Sequence, residues 1–76
     1  MTQNEKVLRH LRDRGSITSM EAFQMYGITR LSARISDIKE TGVEIYTERQ
    51  NAKNRDGKTV WFDRYFIREG VREYAR

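Results

Sequence analysis

The chain contains no cysteine and a single histidine, His10. Disulfides and thiolate metal sites are thereby excluded, and no metal-ligand cluster is expected. It has no glycine-rich phosphate loop, and Ser, Asp and His fall at no catalytic spacing. No catalytic residue, metal ion or cofactor is therefore expected, and His10 reads as a surface histidine on a helix flank. No apolar run approaches the length of a membrane span. The opening Met-Thr-Gln-Asn-Glu-Lys lacks the apolar core of a signal peptide. These absences predict a soluble, cytoplasmic protein with no membrane partner.

What is present is charge. The 76 residues suffice for one small domain and carry a net charge of +4. With a pI near 9.8, such a chain suits a polyanionic partner, either nucleic acid or an acidic membrane surface.

Residues 3–13 read as a first helix, with Val7, Leu8 and Leu11 on one face, closed by Gly15 and Ser16. Ile17 returns to the core. Thr18 and Glu21 then have the spacing of a capping box, opening a second helix over residues 19–26. Its apolar set is Ala22, Phe23 and Tyr26, with Met20 and Met25 at the edges, and Gly27 suits its C-terminus. Ile28 plugs the corner and Thr29 is the next natural N-cap. A third helix runs to Thr41 and stops at Gly42, with Leu31, Ile35 and Ile38 forming one buried stripe. Two helices joined at such a corner make a helix-turn-helix, a device for placing one helix in a DNA groove. Ala22 to Gly27 is one residue longer than the commonest bacterial spacing, which leaves the position of the turn open.

After Gly42 the period changes to two. Val43 and Ile45 alternate with Glu44 and Tyr46, and Lys58 to Ile67 is rich in β-branched and aromatic residues. Gln50 to Gly57 connects them, with Asp56-Gly57 as the turn dipeptide of a hairpin with a mobile tip. In the second strand Trp61, Tyr65 and Ile67 share one side; Val60, Phe62 and Phe66 share the other. The second side is expected to meet either the C-terminal segment or a partner, including a second copy of the chain. Glu69, Val71 and Tyr74 have the spacing of a helical turn, although a frayed tail fits equally.

Three helices followed by a two-stranded β-hairpin wing is the layout of an α+β winged helix-turn-helix. It is predicted over residues 1–67, with 68–76 as a charged C-terminal tail. The sequence resembles the small phage and prophage helix-turn-helix domains whose signature reads Gly-Ile-Thr-Arg-Leu-Ser-Ala-Arg-Ile-Ser-Asp-Ile-Lys-x-x-Gly-x-x-Ile, here residues 27–45. That resemblance covers nearly all of the chain up to Ile67. More loosely, the chain is similar to the N-terminal DNA-binding domain of the biotin repressor family. There the same element order includes a strand like Gly42-Val43-Glu44-Ile45-Tyr46; the biotin-ligase part of that family has no counterpart here.

The resemblance implies sequence-specific binding of double-stranded DNA by a small phage-type transcriptional regulator that acts by occupying its site. It also implies residence in the cytoplasm of a bacterial host, at the nucleoid. An excisionase-like recombination factor is the second use within that class. The competing class is a phage protein that binds and inhibits a host protein.

Three groups of residues are candidates for DNA contact. On the third helix they are Thr29, Arg30, Ser32, Ala33, Arg34 and Ser36, with Arg30 suited to guanine and Arg34 either bonding Asp37 or reaching a phosphate. Asp37 and Glu40 are expected on the same outward face, and this acidic pair is what makes a protein partner credible. In the wing they are Arg49, Lys53, Arg55 and Lys58, with only Asp56 opposing them between residues 49 and 58. At the opening of the second helix they are Ser16, Thr18 and Ser19, whose amides and hydroxyls suit a phosphate. Lys6 and Arg9 read as solvated charges and Arg14 as at most a phosphate candidate.

Overall fold

The computed structural model describes residues 1–68; the helical turn or frayed tail expected around Glu69, Val71 and Tyr74 lies outside them. The element order is α1 (Gln3–Arg14), β1 (Ser16–Thr18), α2 (Ser19–Tyr26), α3 (Leu31–Glu40), β2 (Ile45–Lys53) and β3 (Thr59–Ile67). The expected α+β winged helix-turn-helix architecture is present, with one strand more than the sequence suggests. The sheet has three antiparallel strands in the order β1-β3-β2.

The helix boundaries have local causes. Thr2 and Glu5 form a capping box at the start of α1, and the bonds to Thr2 hold the Glu5 carboxyl below its ordinary pKa. Thr18 and Glu21 form the predicted box on α2, with Glu21 N donating to Thr18 Oγ1 at 3.2 Å and Thr18 N to Glu21 Oε1 at 3.0 Å. Gly27 ends α2 with φ of 70°, which a side chain would oppose. Its N–H donates to Phe23 O and that of Ile28 to Ala22 O. The turn therefore occupies residues 27–30, which settles its position. Thr29 is not the cap of α3: Arg30 stands there, and its side chain makes no capping bond.

The core gathers Val7 and Leu11 of α1, Ile17 of β1 and Ala22 of α2 with Ile28. Leu31, Ile35 and Ile38 of α3 and Ile45 of β2 complete it. Each large aliphatic side chain so enclosed stabilises the fold by about 1.5–3 kcal/mol relative to exposure. Phe23, expected on the buried face of α2, is instead 56% exposed. Ala22 and Tyr26 suffice to seat so short a helix.

β1 is brief because it only bridges α1 to α2. Ser16, Ile17 and Thr18 pair with Phe66, Tyr65 and Arg64. Nothing in a Ser-Ile-Thr tripeptide separates a strand from a linker, so only the tertiary pairing reveals it. The hairpin is longer than the sequence suggests: β2 continues through Gln50 to Lys53, and its pairing runs from Ile45 opposite Ile67 to Lys53 opposite Thr59. The connection shrinks to residues 54–58. There Asn54 Oδ1 accepts from the amides of Asp56 and Lys58 at 2.9 and 3.0 Å, and Gly57 takes φ of 79°. The tip is thus an Asx-type turn closed by its own side chain.

Candidate nucleic-acid interface

α3 turns its aliphatic stripe inward and leaves Ser32 and Ser36 exposed, with Ala33 half-buried beside them and Thr29 and Arg30 exposed at its start. Its first turn holds no acid. This face is flat and uncharged, bounded by the Arg30 guanidinium at one end and by Lys39 and Glu40 at the other. Arg34 and Asp37 do not belong to it. They turn toward the start of α1, where the Arg34 guanidinium lies 3.3 Å from Asp37 and donates to Gln3 Oε1 at 3.2 Å. Asn4 Nδ2 donates to the same Asp37 oxygen, Oδ2, at 3.3 Å. The expectation of Asp37 on the outward face is therefore corrected: the helical twist carries it round to α1, and Glu40 remains as the only acid of the expected pair that points outward. For Arg34, the Asp37 bond is the alternative that the structure contains.

In the wing, Arg49, Lys53, Arg55 and Lys58 are all exposed. Arg49 faces Asp63 across the ladder at 4.0 Å, an acid that linear proximity does not reveal. Lys53, Arg55 and Lys58 make no ion pair among the described residues. Alternation along the ladder puts Arg49, Asn51, Lys53 and Trp61 on the side of Ile45, Tyr65 and Ile67, which is the side that packs on the helices. The wing's basic side thus continues the helical side outward. On the opposite side, Tyr46 and Phe66 stack at 5.2 Å with Arg68 over the Tyr46 ring at 4.4 Å.

The opening of α2 is more occupied than its sequence suggests. Thr18 is buried and its hydroxyl is taken by the capping box. Ser16 accepts from Arg64 at 3.1 Å, and Ser19 is exposed. Arg64 is the residue that sequence reasoning missed. Half-buried on β3, its guanidinium donates to Gln50 of β2 at 2.9 Å and to Ser16 of β1, and sits 3.4 Å from the Glu21 carboxylate. Only a planar fork reaches three partners on three elements at once. The period-two pattern around it was the available signal, since it places an arginine among half-buried neighbours.

His10 is corrected as well. It is buried beneath α2, not on the surface, with Nδ1 2.8 Å from the Tyr26 hydroxyl and Nε2 3.9 Å from Glu21. Loss of solvation lowers its pKa from the ordinary value, against an opposing pull from the Glu21 carboxylate. Among the described residues no group of His, Asp and Glu could hold a metal ion. No helix among them is long and apolar enough to cross a membrane.

A helix-turn-helix inside an antiparallel sheet of order β1-β3-β2, with β2 and β3 prolonged into a basic hairpin, defines the winged helix-turn-helix class. Residues 2–70 match the profile of the winged helix-turn-helix domain family, and the chain belongs to that family. No curated protein and no solved structure gives a significant match. The fold is typically non-enzymatic and points to DNA binding.

Proposed function

We propose that this protein is a sequence-specific binder of double-stranded DNA, used as a small phage-type transcriptional regulator that acts by occupying its site. The observation that carries the reading is the coincidence of two surfaces. α3 presents Ser32, Ala33 and Ser36 with no acid in its first turn, and the wing carries Lys53, Arg55 and Lys58 unpaired among the described residues. Small side chains let the helix backbone approach base edges, and wing cations suit phosphates or the minor groove. The excisionase-like use relies on the same contacts and separates from regulation only by the site that is bound. A host-protein inhibitor is supported less, because Asp37 is engaged with Asn4 and Arg34 instead of pointing outward.

The test is selection of bound fragments from random duplex DNA, followed by titration at several salt concentrations. Duplex binding should weaken with salt at a slope of about −0.9 per neutralised phosphate. Replacing Lys53, Arg55 and Lys58 together by alanine should weaken binding to every sequence and flatten the slope. Enrichment of no sequence, with no retention on duplex DNA at low salt, would remove the reading.

A further inference from the structure

Trp61 is 58% exposed, although it is the only tryptophan of the chain and among its largest apolar side chains. Exposed Val60, Met20 and Phe23 continue it along the surface, so the indole belongs to an apolar patch, and patches mark interaction sites where a lone exposed side chain does not. Its surroundings define the partner. Trp61 pairs across the ladder with Asn51, between the Arg49–Asp63 and Lys53–Thr59 pairs on the same side. Arg55 and Lys58 follow at the tip. An apolar protein surface laid on this ring would strip water from those cations without neutralising them. A polyanion with flat apolar plates inside it satisfies both the cations and the ring.

Position supports the same partner. Trp61 lines an open groove of about 390 Å³ together with Ser19, Met20 and Val60. A second groove shares Ser19 and Met20 and continues through Phe23 to Ile28 and Thr29, the residue just before the start of α3. Trp61 and the leading end of α3 therefore lie along one continuous surface. Trp61 stands four residues beyond Tyr65 on the strand, roughly 13 Å outside the core at the usual strand rise.

We propose that Trp61 is an apolar wedge: its indole enters the minor groove of bound duplex DNA, stacks at a base step and bends the duplex, while the neighbouring cations hold the phosphates on either side. The inference rests on the duplex-binding reading above and adds a bend and the residue that makes it.

The experiment uses the intact protein and a short, end-labelled random-sequence duplex at low salt. Because Trp61 is the sole tryptophan, emission excited beyond the tyrosine absorption band reports on it alone. Its emission should be quenched as duplex saturates, and energy transfer between the duplex ends should rise. Trp61→Ala should bind roughly tenfold more weakly, leave the salt slope unchanged and abolish the rise in transfer; Trp61→Phe should retain most of it. The ring is exposed, and circular dichroism checks that both variants keep the fold. Unchanged emission at saturation, or a bend that survives Trp61→Ala, would overturn the wedge while leaving duplex binding standing. Absence of duplex binding overturns both. Emission that shifts with protein concentration in the absence of DNA would assign the ring to a second copy of the chain and overturn the wedge.

Discussion

His10 and Tyr26 meet edge to face, their rings 5.6 Å apart at 88° and the imidazole Nδ1 2.8 Å from the phenol oxygen. The contact joins the middle of α1 to the last turn of α2. In the Nε2–H tautomer the phenol donates to Nδ1, while the ring proton points toward Glu21.

Because burial depresses the His10 pKa below its ordinary value of 6.5, the unfolded chain takes up a proton at higher pH than the folded one. Stability from this residue is therefore complete above about pH 6.5 and is lost as pH falls toward the lower folded pKa. Urea unfolding at neutral and at mildly acidic pH should show that loss. The His10→Gln variant, less stable at neutral pH, should show a smaller difference between the two. An equal pH difference in both proteins would contradict the assignment.

Arg30 is exposed at the head of α3 and its side chain makes no capping bond. Arg30→Ala should cost specific binding about 1–3 kcal/mol and relax preference at one base position. Arg30→Lys should restore charge but little preference, since an ammonium lacks the fork. Equal losses on selected and scrambled fragments would make Arg30 a phosphate contact.

Asp37 restrains Arg34. Asp37→Ala should release that guanidinium beside α3, so duplex binding should tighten severalfold at low salt, with the gain lost at high salt. The fold should lose less than about 1 kcal/mol, as expected for a pair this exposed. Unaltered affinity would show that Arg34 stays turned to α1 without its partner.

Arg64→Lys keeps the charge and discards the fork that reaches Gln50, Ser16 and Glu21. A destabilisation of about 1–3 kcal/mol is expected, measured as a lowered urea midpoint with an unchanged slope. A midpoint equal to that of the parent would mean that one bond of the three suffices.

The elements legible in the sequence are those whose causes are local. The capping box at Thr18, the glycine stop at Gly27 and the stripe Leu31, Ile35 and Ile38 depend on neighbours within a turn or two, and each is present. Periodicity also puts Ile45 inward, but it leaves the face of β3 open, because both of its sides carry large apolar groups. What escaped depends on distant chain. β1 exists only because β3 lies beside it. His10 is buried because α2 crosses it, and Phe23 is exposed because nothing among the described residues crosses α2 on that side. Asp37 was assigned outward by counting angles on one helix, whereas the N-terminal turn of α1 reaches round to it through Asn4. Thr29 had the chemistry of a cap, but the backbone places Arg30 at that position. Of the candidate interface, the wing cations and the small residues of α3 were readable as a pattern; the acid opposite Arg49 was not, because Asp63 lies on the other strand.

Arg64 holds the root of the hairpin to β1 and to the first turn of α2, and Asn54 stiffens the far end. The hairpin is therefore tied by side chains at its base and closed by one at its tip. The separation between the outward side of α3 and the tip is set when the chain folds. On the duplex-binding reading proposed above, a ligand that touches both must match that span in its own repeat, and the molecule then acts as a gauge of groove-to-groove distance. Duplexes whose helical pitch departs from that span would be refused before any base is read.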